Sequence, residues 1–254
     1  MIGYAGRNKD TVNYLKTIYF DDPEWVPWRV DILPATWMKY RERMEDLVLA
    51  HPRLFPDYEP GTKDFDRIED SLEALLYELG QQVDCWGTVW HNIRHGMYGH
   101  PADFPLKDWA AWARYIPPDP LKDNLFGPRD WEQAERALNN AKWRGNLAVG
   151  GGLPHGFMYQ RLTYLRGFEN LMLDIGLQDP RLNQLIEMVE SYNTVVIHKY
   201  LDLGAERMSF GDDLGLSRSL PMSPKTWRKF IKPSYERMFR RCREAEVPIY
   251  LHTH

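Results

Sequence analysis

The chain has 254 residues, of which 43% are hydrophobic and 27% charged, with a formal net charge of −4 and a pI near 6.1. Such a composition belongs to a folded globular protein, and it gives no electrostatic footprint for nucleic acid or an anionic membrane. Two cysteines far apart in sequence, Cys85 and Cys242, make no disulfide framework, and neither an apolar leader nor a spanning-length apolar run is read, so a soluble, cytoplasmic protein is expected.

Residues 1–80 read as an N-terminal helical cap. Pro23, Pro27 and Pro34 punctuate an aromatic stretch, and helical patterns then run over 36–51 and 65–79, the second with Ile68, Leu72, Leu75, Leu76 and Leu79 on one stripe. From residue 81 the pattern becomes alternating strands and helices. Strands are predicted at Gln82–Trp90, Asn146–Gly150, Glu206–Gly211 and Val247–His252. Between them lie predicted helices at Asp130–Trp143, Tyr159–Leu173, Arg181–Leu203 and Pro224–Ala245. Asp179 is a natural N-cap for the third, with Pro180 at its first position. Pro233 lies inside the fourth, where proline costs ~3 kcal/mol, so a kink or break is expected there.

Alternation of this kind predicts an α/β fold with a parallel sheet. The wide spacing between strands suits a (β/α)₈ barrel with elaborated loops. Four strands do not close such a barrel, so residues 81–254 read as a partial one, incomplete at the C-terminus. Unpaired sheet edges would then favour a homo-oligomer.

In a parallel barrel the chemistry sits at the carboxyl ends of the strands. The segment Met208–Gly215 brings two adjacent carboxylates, Asp212 and Asp213, to such an end. Either one is suited to donate a proton, hold a metal or grip a cation; the alternative is that one caps a turn and the other pairs with an arginine. Tyr250-Leu-His-Thr-His254 places His252 and His254 on one face of the last strand, half of a tetrahedral zinc site, and one of the two aspartates is a candidate third ligand. Gly150-Gly-Gly-Leu-Pro-His155 follows an apolar strand without the pattern of a phosphate or dinucleotide loop. Gly151, Gly152 and His155 are therefore candidate walls of a substrate pocket, with a simple tight turn as the alternative. Asp84 and Trp86 are candidates at the pocket mouth, and a metal role for His91, His95 and His100 is the weaker reading of the same region.

Taken together, Asp84–Trp90, Pro101–Trp109, Arg166–Glu169, Leu203–Glu206, Gly211–Gly215, Ser223–Pro233 and Leu251–His254 resemble the uroporphyrinogen decarboxylase superfamily in order and spacing. That superfamily includes the heme-pathway decarboxylase and zinc-dependent methyltransferases that take a methyl group from a corrinoid protein. The resemblance implies a barrel of about eight strands, a tetrapyrrole or methyl-donor pocket at its top, and further strands beyond those present. In the methyltransferase branch a His-x-Cys supplies zinc ligands at the last of these strands. His252 matches that histidine, and His254 stands where the cysteine would be. The arginine-rich N-terminal segment of the decarboxylase branch has only a superficial echo in Gly3–Arg7.

The preferred expectation is a zinc-dependent methyltransferase that passes a methyl group between a corrinoid, carried by a partner protein, and a small-molecule thiol. Asp212 or Asp213 would complete the metal shell or orient the ligand. The alternative is a cofactor-free decarboxylase of acidic tetrapyrroles, for which Arg161 and Arg166 are candidate carboxylate contacts. A third reading is a non-catalytic, truncated barrel.

Overall fold

The computed structural model describes residues 2–56, 58–66 and 77–253. Helix α1 (Lys9–Tyr19) is capped by Asn8, which accepts from the Thr11 amide at 2.9 Å. Its inward stripe includes Asn13, whose side chain holds the next turn by accepting from the Glu24 amide and donating to the Trp25 carbonyl. Helices α2 (Pro34–Tyr40) and α3 (Glu42–Ala50) stand where one helix over 36–51 is expected. The break is at Arg41, whose φ of 47° cannot continue a right-handed helix. Trp37 and Val48 form a small core of their own, with the Trp37 ring stacked on Tyr58 at 5.6 Å. Most of the helix expected over 65–79 lies outside the described residues.

Strands β1 (Gly80–Val83), β2 (Val89–Asn92) and β3 (His100–Asp103) form an antiparallel meander, so the single strand expected over Gln82–Trp90 is a hairpin. Its turn forms because the Asp84 carboxylate accepts from the Trp86 and Thr88 amides, at 3.0 and 2.9 Å, while Gly87 takes a φ of 82°. A 3₁₀ turn (Trp109–Arg114) and a short hairpin of β4 (Asp123–Asn124) with β5 (Gly127–Pro128) lead into helix α4 (Trp131–Trp143), capped by Asp130.

The parallel part of the fold begins at β6 (Val149–Gly150). Helices α5 (Tyr159–Arg166), α6 (Phe168–Leu177) and α7 (Pro180–Asp202) return the chain to β7 (Arg207–Gly211). Helices α8 (Pro224–Phe230), α9 (Lys232–Met238) and α10 (Arg240–Glu244) then return it to β8 (Ile249–His252). Gly167, at φ 78°, splits the helix expected over Tyr159–Leu173 into α5 and α6. Asp179 caps α7 and Pro180 opens it, as the sequence predicts. The expected break near Pro233 falls between α8 and α9, leaving the proline in a first turn that needs no N–H from it.

The sheet order is β6–β7–β8, all parallel, with Gly150 opposite Met208 and Gly211 opposite His252. Alternation along β7 sends Met208 and Phe210 into the helical layer, where Phe210 meets Phe239 and Phe157 at ring separations of 4.8 and 5.2 Å. The α7 stripe of Leu182, Leu185, Ile186, Val189 and Val196 is buried in the same core. Burial of each such side chain contributes ~1.5–3 kcal/mol, so this layer fixes the strand ends firmly.

The parallel sheet expected from the strand–helix alternation is present, without a closed barrel. Among the described residues three parallel strands form an open sheet, and closure requires a full ring of strands with matched tilt and stagger. What is formed is a mixed α/β fold with two consecutive strand–helix–strand units. Among the described residues no helix is long and apolar enough to cross a membrane.

Candidate metal centre

The carboxyl ends of β6, β7 and β8 deliver His155, Asp213 and His252 to one place. The loop after β6 is shaped by its glycines. A Cβ at Gly150 would stand 2.4 Å from the Met208 sulfur, and one at Gly152, where φ is 73°, would stand 2.5 Å from the Tyr200 ring. Arg129 clamps this loop, donating to the Gly152 carbonyl at 2.8 Å and to the Tyr192 hydroxyl at 3.0 Å. The Gly156 amide then bonds the Gly211 carbonyl at 2.7 Å, which seats the His155 ring directly over Gly211.

The two aspartates part company. Asp212 is fully buried, and its carboxylate accepts from the Tyr159 and Gln160 amides, at 2.6 and 2.9 Å, and from the Tyr235 hydroxyl. Helix α5 has no side-chain cap of its own, so Asp212 supplies one from β7. Burial pushes the Asp212 carboxyl above its usual pKa, against the opposite pull of Tyr235 and the two amides. Burial, with Asp212 alongside, pushes the Tyr235 hydroxyl up as well. Asp213 faces the other way. Gln160 grips it twice, accepting from its amide at 3.1 Å and donating to Oδ2 at 3.4 Å. Its Oδ1 is buried, makes no hydrogen bond among the described residues, and lies 3.4 Å from His155 Nε2. The His155 and His252 ring centroids are 5.5 Å apart at 61°.

One donor atom from each of His155, Asp213 and His252 lies within 4.8 Å of the other two. Zinc holds such nitrogen and oxygen ligands at ~2.0–2.2 Å, so small side-chain rotations bring all three onto one ion. The donor set fits: two imidazoles, and a carboxylate oxygen that is buried without a hydrogen-bond donor and aimed at them.

A cavity of about 890 Å³ opens from the histidine pair. One wall is the sheet face carrying Val149, Arg207, Ser209 and Tyr250. The other is the N-terminal segment, with Tyr14, Trp25 and Trp28. That segment is fastened to the sheet by Arg7, which donates to Glu206 at 2.9 Å and to the Asn146 carbonyl at 3.0 Å; Glu206 in turn accepts from the Ala148 amide.

Other candidate residues lie elsewhere. Asp84, Trp86 and Arg161 are not at the cavity mouth but in the core: Arg161 Nη1 is 2.7 Å from Asp84, which also accepts from Trp90 Nε1, and the guanidinium lies 5.4 Å from the Trp86 ring. They are interior because the hairpin turn folds Asp84 inward to satisfy its own amides. Arg166 is likewise buried, paired with Asp174 at 2.7 Å. Gly151 and Gly152 do not line the cavity; Gly152 is there for contact with Tyr200. His254 lies outside the described residues. Sequence reasoning took His155 only as a pocket wall and passed over Gln160; reading the loop after every parallel strand as one constellation finds His155.

No protein-family model matches the chain, and no curated protein matches it. Among solved structures, a methyltransferase from Methanosarcina mazei is similar, with a TM-score of 0.53 over 96% of this chain and 69% of that one, at 16% identity. The chain thus shares the fold of that structure, and it carries a His–Asp–His cluster at its three parallel strand ends.

Proposed function

We propose that this chain is a zinc-dependent methyltransferase that moves a methyl group from a corrinoid, carried on a partner protein, to a small-molecule thiol. The observation that carries the reading is the convergence of His155, Asp213 and His252 where three adjacent parallel strands end. Two imidazoles and one carboxylate are a catalytic rather than a closed structural set, because a coordination position is left for substrate. When bound there, zinc supplies the charge that keeps a ligating substrate thiol deprotonated at neutral pH.

The chain's own residues prepare the site. Gln160 orients Asp213 through both its amide and its carboxylate. Asp212 fixes the start of α5, and with it Gln160. The aromatic cavity wall lines the approach to the histidines. In the transfer, the substrate sulfur would form the new S–C bond as the methyl group leaves its donor, and the donor would keep the electron pair of the broken bond. The thiol proton leaves to solvent. The fold likeness to a methyltransferase supports this assignment.

Zinc content by elemental analysis tests the reading, on the wild type and on His155→Ala/His252→Ala. Near-stoichiometric zinc that is lost in the double variant is expected. Folded wild-type protein that takes up no zinc removes the mechanism and favours the metal-free decarboxylase alternative. The same donor set also holds ferrous iron in oxygenases, and the analysis distinguishes the two metals directly.

A further inference from the structure

The cavity runs from the histidine pair along the sheet face, and Arg207, the first residue of β7, forms its far floor. Four extended steps lead from Arg207 to Gly211, so the two ends are about 13 Å apart. Among the arginines held within the fold, Arg7, Arg161 and Arg166 each meet a carboxylate. Arg207 does not. Among the described residues it makes no ion pair and no side-chain hydrogen bond, and its Nε is buried without a partner.

Two rings hold its guanidinium instead. The central carbon lies 5.2 Å from the Tyr14 ring of α1 and 5.9 Å from the Tyr250 ring of β8. Aromatic neighbours restrain a guanidinium without using its N–H edge, the edge that forms paired bonds to a carboxylate. The acidic residues of the cavity leave it uncompensated: Asp31 pairs with Arg29 at 2.9 Å, and Asp10 forms no ion pair with Arg207. Three arginines against two aspartates line the space.

We propose that Arg207, flanked by Tyr14 and Tyr250, binds the carboxylate of an organic acid that occupies this cavity. That the same molecule presents a thiol to His155, Asp213 and His252 rests on the zinc reading above; the carboxylate site does not. A cavity of about 890 Å³ is of the size that takes small-molecule ligands.

Isothermal titration calorimetry of the full chain tests this with mercaptopropanoate, mercaptohexanoate, mercaptoundecanoate and their methyl esters, on metal-free and zinc-loaded protein. In metal-free wild type, the longer carboxylates should bind about tenfold or more tightly than their esters, as a charge-assisted bidentate pair requires. Arg207→Gln should remove that preference, Arg207→Lys should keep part of it, and Arg29→Gln and Arg53→Gln at the rim should leave it intact. No preference in wild type, or one that survives Arg207→Gln or disappears with a rim variant, overturns the proposal. A preference that persists while zinc adds nothing to thiol binding keeps the carboxylate site and removes the zinc reading.

Discussion

Gly211→Ala is the sharpest probe of the cluster, because it changes one methyl group and no ligand. Gly211 does not have a left-handed φ, so alanine is tolerated by the backbone. The added Cβ, however, would stand 2.4 Å from His155 Cδ2 and 3.1 Å from its Nε2. Ordinary carbon contacts begin at about 3.5 Å, so the imidazole must retreat by roughly 1 Å. Metal ligation tolerates only about 0.2 Å of error, so a shift of that size takes His155 out of the coordination shell. Loss of even an outer support around a metal costs ~10–100-fold in affinity, and loss of a ligand at least the upper end of that range. Competition against a chromophoric chelator should therefore show zinc bound ~100-fold more weakly, with a thermal midpoint close to wild type. A variant that binds zinc as tightly as wild type would refute His155 as a ligand in this arrangement.

Four further outcomes are expected. Asp213→Asn should abolish tight metal binding yet leave thermal stability nearly unchanged. Asp212→Asn should cost ~1–3 kcal/mol in urea unfolding because its amide nitrogen would face groups that are themselves donors, and should weaken metal binding through the loosened Gln160. Asp84→Ala leaves the Arg161 guanidinium buried without its partner and should cost ~3–5 kcal/mol; a loss under ~1 kcal/mol would mean the pair is hydrated in solution. The Arg181 guanidinium and amide beside Asp179 lower its carboxyl to about 2, so the fold favours the ionised form. That contribution is present above the unfolded value of ~3.9 and is lost as pH falls through about 2. The stability difference between wild type and Asp179→Asn should thus be flat above pH ~5 and shrink between pH ~4 and 2.

Local rules made much of the parallel half readable in the sequence. The Asp179–Pro180 start of α7, the Pro233 break and strands β7 and β8 all follow from capping, proline geometry and apolar patterning, each decided within a few residues. The breaks at Arg41 and Gly167 were not legible, because each depends on distant partners: Phe65 and Asp66 hold Arg41, and Phe104 packs against Gly167. The hairpin at Asp84–Gly87 did leave a signal, an aspartate three residues before a glycine, which the run of β-formers around it masked. At the site, strand-end logic reached Asp213 and His252. It could not rank Asp212 against Asp213, since the distinction rests on α5 docking its amides onto one of them. Nor could it see the N-terminal segment as a cavity wall, because nothing in residues 1–60 announces where that segment docks.

The Arg7–Glu206 clamp has a consequence in time as well as in space. The two residues are 199 positions apart, so the ion pair that completes the fastening of the near wall, begun at the Asn146 carbonyl, forms only once β7 has been synthesised and laid beside β6. During synthesis at ~5–20 residues per second, the N-terminal segment waits on the order of ten seconds or more for that partner. Its docking closes a very long loop, which is entropically late by nature. The cavity is therefore among the last features of this protein to form, since its sheet wall is not complete until β8 has followed β7.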